Sequence, residues 1–255
     1  MQGLGEGRVY LVTGGAGGIG RATAEVLARA GGRVVVTDVD EAAGTQAAED
    51  VARATGGTTR FDVLDVADPD AVRGLADRLD QEGWPVHGLM ANAGIAPSSP
   101  ATEYPDELWR RTVGINLDGV FWCCRDFGRR MVERGAGTIV ITSSIAGYGV
   151  VSPETHAAYG ATKAAVGHLA ELLGVEWART GVRVNSVAPG YTATPILDRL
   201  RDESPDTYEQ WLARIPAGRL NTPAEIANAT AFLMSDLASG VTGAVLRVDG
   251  GYGAR

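Results

Sequence analysis

Short apolar runs recur along the chain, each closed by glycine, proline or a polar turn, and alternate with longer segments whose apolar residues fall three and four apart. The short runs lie near 9–13, 33–38, 58–62, 86–91, 138–143, 182–187 and 244–248. Their nearly continuous apolar character predicts strands buried on both faces, as in a parallel sheet. The intervening segments predict amphipathic helices: Ala22, Val26, Leu27 and Ala30 share one face, and Thr222-Pro223 is a helix start signal. Strict alternation predicts an α/β fold, a doubly wound seven-stranded parallel sheet with helices on both faces. No repeat and no linker interrupts it, so residues 1–255 read as one domain. The least regular stretch runs from Pro189 to Pro216, broken by Pro195 and Pro205. It follows a strand end, where open α/β sheets bind ligands, and is expected to form a substrate lid over about 189–216.

Composition narrows the function. With 45% hydrophobic and 21% charged residues the chain is globular, and 255 residues suffice for a large core. A net charge of −8 disfavours nucleic acid and anionic membrane as partners. No signal-type segment opens the chain and no apolar run is long enough to span a bilayer. Cys123 and Cys124 are adjacent, which suits neither a disulfide nor metal ligation and is consistent with the cytoplasm. No metal site is expected.

The N-terminal third carries the first specific chemistry. Thr13 to Gly20 read TGGAGGIG between a strand and a helix. Gly14, Gly17, Gly18 and Gly20 let the backbone turn tightly and approach a pyrophosphate, with Ile19 among them, and the helix N-terminus faces that anion. This is the Rossmann dinucleotide context. The second strand ends at Asp38, 18 residues after Gly20. A carboxylate there binds adenosine ribose hydroxyls and repels a 2′-phosphate; Val39 and Gly17 offer no cation to a phosphate. The cofactor is therefore read as NAD. Asp38 capping the next helix is the alternative, although Asp40 could serve as that cap.

Tyr159 and Lys163 stand at i and i+4 in a helical stretch and so share a face. A cation ~4–5 Å from a phenol stabilises the phenolate by roughly 3–4 kcal/mol at an effective dielectric near 20. That would bring Tyr159 towards neutrality, where acid–base catalysis works best.

With these motifs in view the chain resembles the single-domain short-chain dehydrogenases/reductases from the first strand to the C-terminus. The family pattern TGxxxGxG falls on Thr13, Gly14, Gly18 and Gly20; its adenine-contacting Asp-Val on Asp62-Val63; its Asn-Ala-Gly on Asn92, Ala93 and Gly94; and PGxxxT on Pro189, Gly190, Thr192 and Thr194. Val248 to Gly251 match its closing VDGG. The resemblance makes Asn116, Ser144, Tyr159 and Lys163 catalytic. Tyr159 would exchange the substrate's hydroxyl proton, Ser144 would stabilise the developing oxygen charge, Lys163 would lower the Tyr159 pKa and bind the nicotinamide ribose, and Asn116 would hold a water. It also implies a homotetramer. Two departures stand out. Ser144 and Tyr159 are 15 positions apart, more than the family norm, which leaves Ser143 as an alternative to Ser144. Gly114, two residues before Asn116, could kink its helix or open a bulge that turns Asn116 towards the site.

The substrate is a small-molecule secondary alcohol or ketone. Ser152, Glu154, Thr155 and His156 lie near the expected pocket mouth, and Tyr191, Ile196, Leu197, Leu200, Tyr208 and Trp211 on the lid. Ala146, His156, Tyr191 and Trp211 are the candidate contacts. His156 is equally readable as a solvent-facing loop residue, and the lid aromatics as packing. The C-terminal third looks similar to polyol and sugar dehydrogenases of the family. The alternatives are a 3-oxoacyl thioester reductase, an NAD-binding sensor without turnover, or an epimerase or dehydratase with fixed NAD.

Overall fold

A computed structural model gives the architecture and describes residues 3–5, 7–194 and 205–254. Seven parallel strands, β1 (Val9–Thr13), β2 (Arg33–Asp38), β3 (Thr59–Val63), β4 (Val86–Ala91), β5 (Gly137–Thr142), β6 (Val182–Pro189) and β7 (Val245–Val248), form one sheet in the order β3-β2-β1-β4-β5-β6-β7. The expected strands are all present, with ends displaced by one or two residues. The helices are α1 (Gly18–Arg29), α2 (Glu41–Thr55), α3 (Pro69–Gln81), α4 (Asp106–Val113), α5 (Gly119–Arg134), α6 (Ala157–Glu176), α7 (Pro205–Arg214) and α8 (Pro223–Met234).

Local sequence explains the boundaries. Asp40 accepts from the Ala43 amide to cap α2, Asp68 from Asp70 and Ala71 to cap α3, and Thr222 with Glu225 forms a capping box on α8. The sheet divides the core. Val9, Leu11, Leu89, Ile139 and Ile141 face α3, α5 and α6 on one side, while Tyr10, Val12, Met90 and Val140 face α1 and α8 on the other. Strand order reverses direction between β1 and β4, so the loops beyond their C-terminal ends diverge and leave a crevice.

Between α4 and α5 the helix changes register. Residues Gly114–Asp118 form one π-helical turn, and the Gly119 amide donates to the Gly114 carbonyl five residues back. Gly114 itself has ordinary helical angles, φ −58 and ψ −40. Among the described residues, no helix is long and apolar enough to cross a membrane and no group of side chains could hold a metal ion.

Candidate active site

The glycine turn and the end of β4 meet at the switch point. Thr13 closes β1, and its hydroxyl oxygen accepts from the amides of Asn92 and Ala93 at 2.9 and 3.0 Å. The Asn92 side chain returns two donations, to the carbonyls of Thr13 and Gly14. Gly14 has φ +62, and a Cβ there would lie 2.9 Å from the Ala93 Cα. On Gly20 a Cβ would lie 2.2 Å from the Gly14 carbonyl oxygen. These contacts bring α1 tight against the turn. Gly17 at its N-cap makes no side-chain cap, which keeps the first-turn amides available to an anion.

Beside this turn a crevice of about 290 Å³ is lined by Gly14, Asp38, Val39, the Leu64–Val66 segment, Asn92–Ile95 and Arg111. The Asp38 carboxylate accepts from the Ala16 amide at 3.2 Å and the Asp40 amide at 3.3 Å, while Asp40 alone caps α2. Asp38 is thereby fixed at the crevice edge. The residues present fit a dinucleotide: donors for a pyrophosphate, a placed carboxylate for ribose, and an apolar slot for adenine.

One expected contact moves. Asp62 and Val63 do not line this crevice. Asp62 is buried against Arg60 and Arg78 at 2.8 Å each, and Val63 faces outward. The chain carries a second Asp-Val, Asp65-Val66, three positions on, and that pair lines the slot. The reason is where β3 ends: side chains inside the strand point to its faces, and only the segment after Val63 crosses above the crevice.

The crevice continues into a second cavity of about 250 Å³ lined by Ile19, Asn92, Gly94, Ser144, Tyr159, Lys163, Pro189, Gly190, Thr192 and Thr194. Ser144 follows β5, and its hydroxyl oxygen caps the next turn by accepting from the Ala146 amide. Ser143 is structural: it donates to the Val187 carbonyl and accepts from Ser186 at 2.7 Å. Both serines border this cavity, but the Ser143 hydroxyl is committed to the Val187 carbonyl and Ser186, and of the two only Ser144 also borders the larger cavity described below. From α6 come Tyr159, half-buried, and Lys163, buried. Asn116, fully buried in the π turn, donates to the Ile95 carbonyl and accepts from the Ile95 amide, both at 2.8 Å, with Thr162 at 3.3 Å.

Two side chains of this group are held by backbone partners. Lys163 is the first. Its ammonium lies 5.8 Å from the phenol ring centre and donates to the Thr142 carbonyl at 2.7 Å. Sharing a helical face put the two Cβ atoms together, but the long lysine stem runs past the ring to the end of β5. Burial pushes the Tyr159 phenol up, and a hydrogen bond from Ser144 draws it back. Burial also pulls Lys163 down to about 8. The Asn116 side chain, for its part, is occupied with Ile95 and so positions the loop after β4. A Cβ on Gly94 would lie 3.2 Å from its Oδ1 and 3.4 Å from the Lys163 Nζ, so these groups pack closely.

Ser144, Tyr159, Gly190, Thr192 and Thr194 also border a third cavity, of about 500 Å³, completed by Ala146, Val151, Glu154, His156, Tyr191 and Trp211. All four candidate substrate residues are brought together here. His156 is held by the Pro97 carbonyl at 3.0 Å and lies against Tyr159, ring centres 5.5 Å apart, so it is anchored. The longer loop before α6 is zipped to the loop after β4, with Ser99 donating to the Thr155 carbonyl and Ser98 meeting the Thr155 hydroxyl. The lid is described only in part. Tyr191 stacks on Trp211 of α7 at 4.7 Å, whereas Pro195, Ile196, Leu197 and Leu200 lie outside the described residues. The Leu64–Val66 segment and Arg111 escaped the sequence reading. Of these only the second Asp-Val carried a readable signal.

Comparison with known proteins agrees with this geometry. Residues 14–253 match the family model described as enoyl-(acyl carrier protein) reductase. Galactitol 2-dehydrogenase (L-tagatose-forming) of Cereibacter sphaeroides is 42% identical over 247 residues, covering 97% of this chain and 95% of its own. Cis-4-hydroxycyclohexanecarboxylate dehydrogenase of Sinomonas cyclohexanicum is 45% identical over 251 residues, 97% of each. A solved structure described as an NAD(P)-dependent gluconate 5-dehydrogenase from Beutenbergia cavernae, with NADP bound at low occupancy, superposes with a TM-score of 0.92 at 38% identity over 99% of both chains. The chain belongs to the short-chain dehydrogenase/reductase family. It is an oxidoreductase of that family, which uses a nicotinamide cofactor.

Proposed function

We propose that the chain interconverts a secondary alcohol of a polyol or sugar-like substrate and its ketone, with NAD as cofactor. One observation carries this reading: Ser144 and Tyr159 border both the cofactor-side cavity and the 500 Å³ cavity, so a molecule in each would meet at these two hydroxyls. Bound there, nicotinamide supplies the hydride acceptor for oxidation and the donor for reduction. Tyr159 takes the substrate hydroxyl proton as the phenolate during oxidation and, as the phenol, returns it during reduction. The Ser144 hydroxyl donates to the same substrate oxygen as charge develops on it. Lys163 supplies a buried cation beside the cofactor ribose, and Asn116 positions the Gly94–Ile95 backbone below it. Gly14 and Gly17 to Gly20 would cradle the pyrophosphate. Ala93 and Pro189 to Thr194 would flank the nicotinamide half. Residues 189–216 are read as the lid.

Support for NAD over NADP comes from the Asp38 carboxylate, with Val39 exposed by 65% beside it and no lysine or arginine within the glycine turn. Two buried free cysteines accord with a reducing cytoplasm. The test is a screen of polyols, sugars and simple secondary alcohols with each cofactor, followed by absorbance of the reduced nicotinamide. Tyr159→Phe is expected to fold and bind cofactor while losing ~10²–10⁴ in turnover. Reduction of 3-oxoacyl thioesters with no turnover of any polyol would overturn the substrate assignment.

A further inference from the structure

One wall of the 500 Å³ cavity is unusual in chemistry. Glu154, on the loop before α6, presents its two carboxylate oxygens 3.3 and 3.5 Å from the Tyr191 hydroxyl. A phenol has one proton to give, so the carboxylate keeps accepting capacity. Trp211 is 2% exposed and lines the same cavity, and its indole N–H has almost no accessible surface and no partner among the described residues. Tyr191 joins the two, bonding to Glu154 and stacking on Trp211. Burial and the Glu154 charge together hold the Tyr191 phenol well above its ordinary range, as expected of a carboxylate in poorly solvated surroundings. The described lining contains no lysine or arginine to offset that charge. The nearby Arg214, held by the Ser152 carbonyl at 2.6 Å, keeps its charge and draws the Tyr191 phenol back only in part.

We infer that this wall selects an uncharged substrate by gripping a second hydroxyl, with Glu154 as acceptor, and rejects a substrate with a carboxylate there. The inference rests on the hydride-transfer reading and deepens it. A hydroxyl can give a hydrogen bond, and so satisfies Glu154. A carboxylate only accepts; it leaves Glu154 unmet and faces it as a like charge in a weakly screened site. The two relatives divide on this point, one being named for an uncharged hexitol and the other for a hydroxylated carboxylate. The wall places this chain with the former, although its identity to the latter is higher.

The test compares kcat/KM for two ring alcohols of one shape, 4-(hydroxymethyl)cyclohexanol and 4-hydroxycyclohexanecarboxylate, with cyclohexanol as a reference lacking the second group. Wild type is expected to favour the hydroxymethyl compound over the carboxylate by at least about tenfold, since one unmet buried hydrogen bond alone is worth that much. Glu154→Gln removes the charge at nearly constant shape and should shrink that ratio by about tenfold or more. Glu154→Leu removes the acceptor and should lower the ratio of the hydroxymethyl compound to cyclohexanol. A wild-type preference for the carboxylate, or a ratio unmoved by Glu154→Gln, overturns the inference while cyclohexanol turnover keeps the hydride-transfer reading standing. If cyclohexanol and both ring alcohols stay untouched with either cofactor, the hydride-transfer reading falls and takes the inference with it.

Discussion

Lys163 shows how a single buried charge ties stability to function. Its ammonium is buried and lowered to about 8, against about 10.4 in an unfolded chain. Below about pH 8 both states are protonated, and the folded state bears the whole cost of the buried cation, about 3 kcal/mol at most. Between about pH 8 and 10.4 the folded state releases its proton first, so stability rises with pH. Lys163→Met removes the cation at similar volume. Its melting temperature relative to wild type is expected to be highest below pH 8 and to fall as pH climbs through 8, while turnover is lost at every pH. Thermal melts at several pH values would show it, and a difference independent of pH would exclude it. Asp38 makes a second prediction at this scale. Charged hydrogen bonds are worth about 1.5–3 kcal/mol each, so NAD should be preferred by about 10²-fold or more. Asp38→Ser with Val39→Arg removes the repulsion and supplies a phosphate partner, and the ratio of kcat/KM for NAD to that for NADP should shrink or invert. An unchanged ratio in the double variant would place cofactor choice elsewhere.

Among the elements, the π turn of Gly114–Asp118 best separates what sequence can reveal from what it cannot. Gly114 signalled an interruption at the right place, but not through its own flexibility. Its angles are helical and a Cβ on it would meet nothing within 4 Å. Gly114→Ala is therefore expected to keep the π turn and raise stability by about 0.5–1 kcal/mol, the usual helical difference between the two residues. Chemical denaturation measures it, and a loss of stability would show that the glycine is required. What holds the turn open is Asn116 bonding to both backbone groups of Ile95, a contact 21 residues distant that periodicity cannot report. The strands and most site residues were legible because each is a local pattern: an apolar run, a glycine turn, an i, i+4 pair. The course of the Lys163 stem and the choice between Asp62-Val63 and Asp65-Val66 were not. Both depend on where a strand stops, and a one-residue difference there changes which side chains face the crevice.

For the whole molecule, the open question is assembly. Trp109 on α4, Phe121 on α5, and Leu172 and Val175 on α6, the last two exposed by 55% and 79%, are apolar residues on the same pair of helical segments that carry Asn116 and Tyr159. Monomer surfaces tolerate scattered apolar side chains, but several on adjoining helices indicate a covered face. We propose a homotetramer, so light scattering at micromolar concentration should return four times the chain mass. A monomeric mass, or a tetramer undisturbed by Leu172→Glu with Val175→Glu, would refute the face assigned.

The loop before α6 is fastened to the segment after β6 through Glu154 and Tyr191 and to helix α7 through Ser152 and Arg214, while Ser144 follows β5 and Tyr159 and Lys163 sit on α6. Reactivity and recognition are thus inherited from different parts of the chain. A graft from a relative with another appetite would have to carry the fastened pieces together. Transplanted alone, any one would arrive without the parts it was fitted to.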